Sequence, residues 1–370
     1  MLSDSFHESK CSIDFKSYLE NGDYLVQGQA ELNSRSQILI FHSEGHKCSV
    51  DRPVSNKTPK RQRRKEYQDF IRLIDLRSLP LLNDTVSEVV LEEYTDEHRY
   101  TIREDLPRVI YPSCREFPSL RQISKAKLLE QSEITDGVSH VVDVNDRTPY
   151  ILKVVNRPLY QAHDTETIRN ELKDLEYFRG EPNIAQLAGI AVATNPYTTS
   201  SATEQPPVIF GILSVFYPGG SLQNLLDKDR VREHSWESWT IQIATAISYL
   251  HKAGIIHMNI KPSNVVLDAD GNAVLIDISG VGRITHMWLA PEIRKEISPA
   301  GLPFEVRQRN DTWAYGKLLS EIISHAGFCP FLETLNHIAS CLTGEDTQTR
   351  MALLEAISQL KDAGVDRALL

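Results

Sequence analysis

The polar side chains of His257, Asn259, Lys261 and Asn264 lie within eight positions, and an aspartate, Asp277, follows thirteen residues after the last of them. Asparagine and aspartate oxygens are hard ligands, the kind that Mg²⁺ takes in small number while keeping water or phosphate for its other positions. Asn259 is the ambiguous member. A carboxamide accepts a hydrogen bond, but unlike a carboxylate it is not a useful base. A further polar residue, Lys153, interrupts the run Ile151, Leu152, Val154 and Val155, which is too continuously apolar for an ordinary surface strand. Taken alone, the loop from His257 to Asn264 is an ordinary polar loop; its neighbours in sequence decide what it is.

Those residues need elements to hold them. Short strands are expected over 151–155 and 208–216, around one amphipathic helix whose apolar stripe is Ile168, Leu172, Leu175 and Phe178. Long helices should dominate after Ser235, the first carrying Trp239, Ile243, Ala246, Ile247 and Leu250 on one face. A hairpin is expected over 265–267 and 273–276, because Asp268, Ala269, Asp270, Gly271 and Asn272 form a strong turn signal. Residues 193–207, rich in Thr, Ser and Pro, read as a surface loop interrupting a sheet. A strand-rich part followed by a helix-rich part is an α+β arrangement with a cleft between.

The first 120 residues follow no nameable pattern. Strands are expected over 24–27 and 37–41, with 86–94 a third strand or a short helix. Six positive charges fall in the nine residues 57–65. The preferred reading is a solvated loop leading into a helix with Phe70, Ile71, Leu73 and Ile74, and the other is a nuclear-import or anionic-surface patch.

Composition narrows the function classes. The 370 residues are 41% hydrophobic and 24% charged, ordinary values for a globular protein with a sizeable core. A net charge of −10 and a pI near 5.7 give no global reason to expect nucleic-acid binding. Acidic residues among the first twenty exclude an ordinary secretory leader, and no run of 18 apolar residues predicts a membrane span. Five scattered cysteines, odd in number and without a Cys-x-x-Cys pair, predict neither a disulfide framework nor a zinc site. A cytoplasmic protein is expected, with the nucleus as the alternative that the basic run offers.

Over residues 128–360 the chain resembles the protein kinases, through several motifs in the right order. The segment from His257 to Asn264 resembles the catalytic loop H-R-D-x-K-x-x-N, and the strand ending at Lys153 resembles V-A-I-K. Asp277 stands where D-F-G has its aspartate. Leu289, Ala290, Pro291 and Glu292 resemble the A-P-E segment, and residues 311–316 resemble D-x-W-S-x-G. The resemblance implies a two-lobed kinase-like fold over 125–365, with a small β-rich N-lobe, a helical C-lobe and an N-terminal α/β extension over 1–120.

It also implies roles. Lys153 would contact ATP phosphates and pair with a helix glutamate, Glu171 being preferred over Glu176. Gly137 would belong to the phosphate-cradling loop, Asn264 and Asp277 would hold Mg²⁺, and Lys261 would neutralise the transferring phosphoryl group. Thr285 would contact substrate. Glu292, Asp311 and Arg350 would be structural, with Arg350 pairing Glu292 and Asp311 holding the catalytic-loop backbone.

Several positions depart from the family pattern. Asn259 stands at the place of the catalytic base and Met258 at that of the preceding arginine. The loop G-x-G-x-x-G-x-V aligns with Thr135, Gly137, His140 and Val142, so one of three glycines remains. Ile151 replaces the small alanine that roofs adenine, and Ser279 the glycine of D-F-G. The segment from Asp277 to Glu292 has sixteen residues, and its only hydroxyls are Ser279 and Thr285. The connection over 323–331 is also short. The expectation is a kinase-like protein with weakened ATP–Mg²⁺ binding and impaired phosphoryl transfer. It would act through protein partners, without nucleic acid or membrane; the alternative is a slow but genuine Ser/Thr protein kinase.

Overall fold

The structure, a computed structural model, describes residues 13–20, 36–43, 46–53, 60–73, 87–91, 100–104, 109–156, 160, 162–195, 206–278 and 284–366. The strand expected over 24–27 and the D-F-G position Ser279 lie outside the described residues. The chain divides into two compact units, one of Met1–Arg115 with Ala193–Val208 and one of Glu116–Val192 with Ile209–Leu370.

The first unit is a five-stranded sheet with one helix. Strands β1 (Ile13–Glu20), β2 (Ser36–Ser43) and β3 (His46–Pro53) pair antiparallel in sequence order. Helix α1 (Lys60–Ile71) connects β3 to a parallel neighbour, β4 (Ser87–Leu91), which pairs antiparallel with β5 (Tyr100–Glu104). The stretch at 86–94 is therefore a strand over its described part. The basic run, expected as a loop, is helical from Lys60 onward. Lys, Arg and Gln are good helix formers, and the helix has an inner side, with Tyr67 and Ile71 buried, while Arg61, Arg64 and Lys65 stay exposed.

The second unit opens with a six-stranded sheet. Its strands are β6 (Gln122–Ser124), β7 (Leu128–Thr135), β8 (Val138–Asp143), β9 (Pro149–Val154), β10 (Leu187–Ala193) and β11 (Val208–Val215), in the order β6-β10-β11-β9-β8-β7. Alternation along β9 turns Tyr150 and Leu152 into a cluster with Ile123, Val141, Ala191 and Leu213, and leaves Ile151 and Lys153 on the opposite face. Gly211 lets β11 approach there, since a Cβ would sit 2.6 Å from the Lys153 carbonyl oxygen. Helix α2 (Ala162–Tyr177) buries Ile168, Leu172 and Leu175, with Phe178 just beyond its end.

The rest is helical. It comprises helices α3 (Leu222–Asp227), α4 (Trp236–Lys252), α5 (Phe304–His325), α6 (Leu332–Leu342) and α7 (Leu353–Asp362), with a hairpin of β12 (Val265–Leu267) and β13 (Ala273–Leu275) packed against α3 and α4. All five apolar residues expected on the inner face of α4 are buried. The hairpin is fastened to α4 by polar contacts. Trp239 Nε1 donates to the Gly271 carbonyl at 2.8 Å, and Gln242 Oε1 accepts from the Ala273 amide at 2.8 Å. Hairpin and helix thus fix the two loops, at 257–264 and around Asp277, that carry the polar cluster. No helix among the described residues is long and apolar enough to cross a membrane.

Candidate active site

Lys153 is the hub. Its Nζ donates to Glu171 Oε2 at 2.7 Å and Oε1 at 2.9 Å, and to Asp277 Oδ1 at 2.6 Å. Strand β9 presents the ammonium, α2 the glutamate, and the turn after β13 the aspartate. Burial opposes charge on Lys153, but the two carboxylates outweigh it and hold its pKa above the ordinary lysine value. Glu171 is therefore the helix glutamate that meets Lys153. Glu176 is engaged elsewhere, accepting from Ser119 Oγ at 2.6 Å.

The loop at 257–264 is held from beneath by α5. Asp311, wholly buried, accepts from the backbone amides of His257 and Met258, each at 2.8 Å, and lies 3.2 Å from His251 Nε2. Met258 has φ +59, a left-handed conformation unfavourable for an L-residue with a Cβ, and the Asp311 bonds keep it there. Its side chain is buried, and its sulfur receives the Asn310 amide at 3.8 Å. Where the family pattern carries an arginine, this chain has a packed core residue.

His257 Nε2 lies 3.0 Å from the Ile276 carbonyl, and the Asn264 carbonyl accepts from the Ile276 amide at 3.0 Å. These contacts bring Asn264 to the strand that delivers Asp277, itself at φ +61. Asn264 Nδ2 donates to the Asn259 carbonyl at 2.8 Å. Asn259 is 5% exposed, yet its side-chain Oδ1 has no hydrogen-bond partner. An orphaned buried acceptor costs about 1–3 kcal/mol, and such atoms concentrate where structure serves something other than stability.

Lys261 Nζ donates to Thr285 Oγ1 at 2.9 Å. Burial lowers its pKa, with Asp277 acting in the opposite direction. Arg350 clasps Glu292 through both terminal nitrogens, at 2.7 and 3.3 Å. Burial of Glu292 is outweighed by the Arg350 hydrogen bond and charge, which leave its pKa below the ordinary glutamate value.

Gly137 lies in the two-residue turn between β7 and β8, at φ +74, and its carbonyl accepts from the Val154 amide at 2.9 Å. The turn is thus tied into the sheet rather than projecting as a long loop. The cross-strand register pairs Val138 with Lys153, His140 with Ile151 and Val142 with Pro149. His140 therefore shares the Lys153 face beside Ile151, which stands at the place of the alanine that roofs adenine in the family pattern. Its ring stacks on Phe216, the residue after β11, with centroids 4.4 Å apart and planes inclined 16°. The sequence reading missed both aromatic partners. The available signal was a histidine in an apolar strand and a phenylalanine closing β11.

Asp174, three residues after Glu171 on α2, was also overlooked. Burial, and then the Glu171 charge, raise its pKa from 3.8 to about 6, against a smaller opposing effect of Lys173. An acid with a raised folded pKa destabilises the fold when ionised, so the penalty is absent below about pH 3.8 and complete above about pH 6. Asp174→Asn is expected to stabilise the fold at pH 8, seen as a higher melting temperature, by at most the roughly 3 kcal/mol that two pKa units convert to, less after solvent screening. The gain should vanish in melts near pH 4; an equal gain at both pH values would show a cause other than ionisation.

The donor set fits only part of a magnesium nucleotide. Asp277 and Asn264 offer hard oxygens and Lys153 a cation, which suits a metal-bound phosphate. The base end does not fit, because stacked His140 and Phe216 rings and the branched Ile151 stand on the face where a nucleobase would lie. No chemical step is therefore derived through the nucleotide.

Comparison with known proteins agrees with this architecture. The protein kinase domain family matches residues 135–359. The chain is 35% identical over 133 residues to a Dictyostelium discoideum protein described as a probable inactive serine/threonine-protein kinase, covering 33% of this chain and 11% of that one. It is 27% identical over 194 residues to sperm motility kinase Z of Mus musculus, covering 48% and 37%. It is 28% identical over 155 residues to the Homo sapiens hormonally up-regulated neu tumor-associated kinase, covering 42% and 19%. The chain spans well under half the length of each of these relatives. With the family match extending over more than half of its residues, and with a β-rich lobe leading into a helical one, the chain belongs to the protein kinase domain family.

Proposed function

We propose that this protein is a kinase-fold protein with impaired phosphoryl transfer that works through contacts with other proteins. The observation that carries the reading is Asn259: the catalytic-loop framework of His257, Asn264 and Asp311 is intact, and the group at its centre is a carboxamide with an orphaned oxygen. A general base contributes about 10²–10⁴-fold, and an amide cannot take up the proton of an attacking hydroxyl. ATP–Mg²⁺ binding, with Lys153, Asn264 and Asp277 as its phosphate and metal side, is proposed to be so weak that millimolar nucleotide leaves the melting temperature unchanged. The short 326–331 connection supports the loss of a substrate platform. Exposed Ile297 and Phe328 offer apolar surface for a partner.

One observation favours a second reading, a slow Ser/Thr kinase: Lys153, Glu171 and Asp277 converge, and Lys261 meets Thr285. Phosphoryl transfer depends mainly on positioning and charge neutralisation, which these groups supply. A radiolabelled transfer assay on purified protein decides between the two. No transfer to itself or to a general acceptor is expected. Transfer that disappears in Asp277→Ala and rises in Asn259→Asp would establish the slow kinase instead.

A further inference from the structure

Resting on the reading of an impaired kinase fold and deepening it, we infer that His140 and Phe216 form an internal plug that excludes purine nucleotides from the cleft. The argument starts from strand register. Val138, Lys153 and Ile212 form one tier across β8, β9 and β11, and His140, Ile151 and Ser214 form the next tier on the same face. Adjacent same-face residues on a strand are about 6.6 Å apart. A base joined through ribose to a phosphate held at Lys153 must therefore lie at or beside the His140–Ile151–Ser214 tier.

That space holds side chains. Phe216, the first residue beyond β11, lies against the His140 imidazole at a centroid distance of 4.4 Å with planes 16° from parallel, so the two rings are already in face-to-face contact. A third ring enters only if they separate by a ring's thickness. Ile151 adds two branches to the tier where the family pattern has a single methyl group. His140 Nε2 is buried without a hydrogen-bond partner, so no hydrogen bond from that nitrogen helps to hold the imidazole. Shape and stacking fix it, and a change of shape should therefore open the site. The phosphate end is untouched by the plug, since Lys153, Glu171 and Asp277 converge one tier away. The barrier is thus specific to the base.

The test is nucleotide binding to the full chain, followed by thermal shift and by fluorescence of a ribose-labelled ATP, each with Mg²⁺. The wild-type protein is expected to show no shift at millimolar MgATP. His140→Val, which keeps a β-branched strand residue at the position, is expected to bind at least tenfold more tightly than wild type. Phe216→Leu is the second variant, used in case either one folds poorly, and melts without ligand establish that the variants are folded. Gain of binding by either folded variant supports the plug. Wild-type binding as tight as that of the variants overturns it, and so does absence of binding in both folded variants. The transfer assay reports separately: wild-type binding as tight as that of the variants, without transfer, would sink the plug and leave the impaired-kinase reading standing, whereas transfer by wild type would sink the latter.

Discussion

Asp311→Ala is expected to destabilise the second unit by about 3–5 kcal/mol, enough to lower its melting temperature by about 10 °C. The carboxylate is fully buried and accepts two backbone amides at 2.8 Å, with His251 Nε2 at 3.2 Å. Alanine removes all of that acceptance at once and leaves the amides of His257 and Met258 without their bonds to the carboxylate. It also releases Met258, whose left-handed backbone has no intrinsic preference for that conformation. The conservative Asp311→Asn variant keeps the volume but has one oxygen where there were two, and turns an NH₂ group toward a donor. It should fall between wild type and alanine. Urea titration gives the free energies, and limited proteolysis should show earlier cleavage within residues 257–264. An alanine variant within about 1 kcal/mol of wild type, near the net value of one ordinary hydrogen bond, would mean that Asp311 does not hold the loop.

The role of Asp311 is legible in the sequence and the placement of His140 is not, and the difference is physical. Asp311 lies in a contiguous motif, so the spacing of Asp311, Trp313 and Gly316 carries its own register. His140 lies in a glycine loop with one glycine left. Its face is set by pairing with β9, a relation between residues eleven positions apart that no local pattern encodes. The choice between Glu171 and Glu176 was similar. Both lie on α2, and only packing decides which one meets Lys153. The basic run shows the opposite error: charge density suggested a loop, although Lys, Arg and Gln favour helix and buried Tyr67 and Ile71 give α1 an inner side. Motif order thus carried the helical lobe and the polar cluster. The base end of the cleft and the first unit's sheet, with its parallel β3–β4 pair, depended on long-range register.

Lys153→Ala is expected to cost a similar 3–5 kcal/mol near neutral pH, because it strands Glu171, whose side chain is 6% exposed, close to a second carboxylate. In the wild-type protein the lysine pKa lies above its ordinary 10.5. The ion pairs therefore contribute fully below that pH and fade only as pH rises through the higher folded value. They are intact across the physiological range. In the alanine variant the deficit should shrink as pH falls, since a proton on a carboxylate can replace the missing ammonium; wild type should show no matching gain. The double variant Lys153→Met/Glu171→Gln removes both charges while approximately keeping volume, and should recover most of the loss. A double-mutant cycle would then give a coupling energy of about 2 kcal/mol or more between the two positions. Additive losses, or an alanine deficit independent of pH, would show that Lys153 contributes by packing its aliphatic stem rather than by neutralising buried carboxylates.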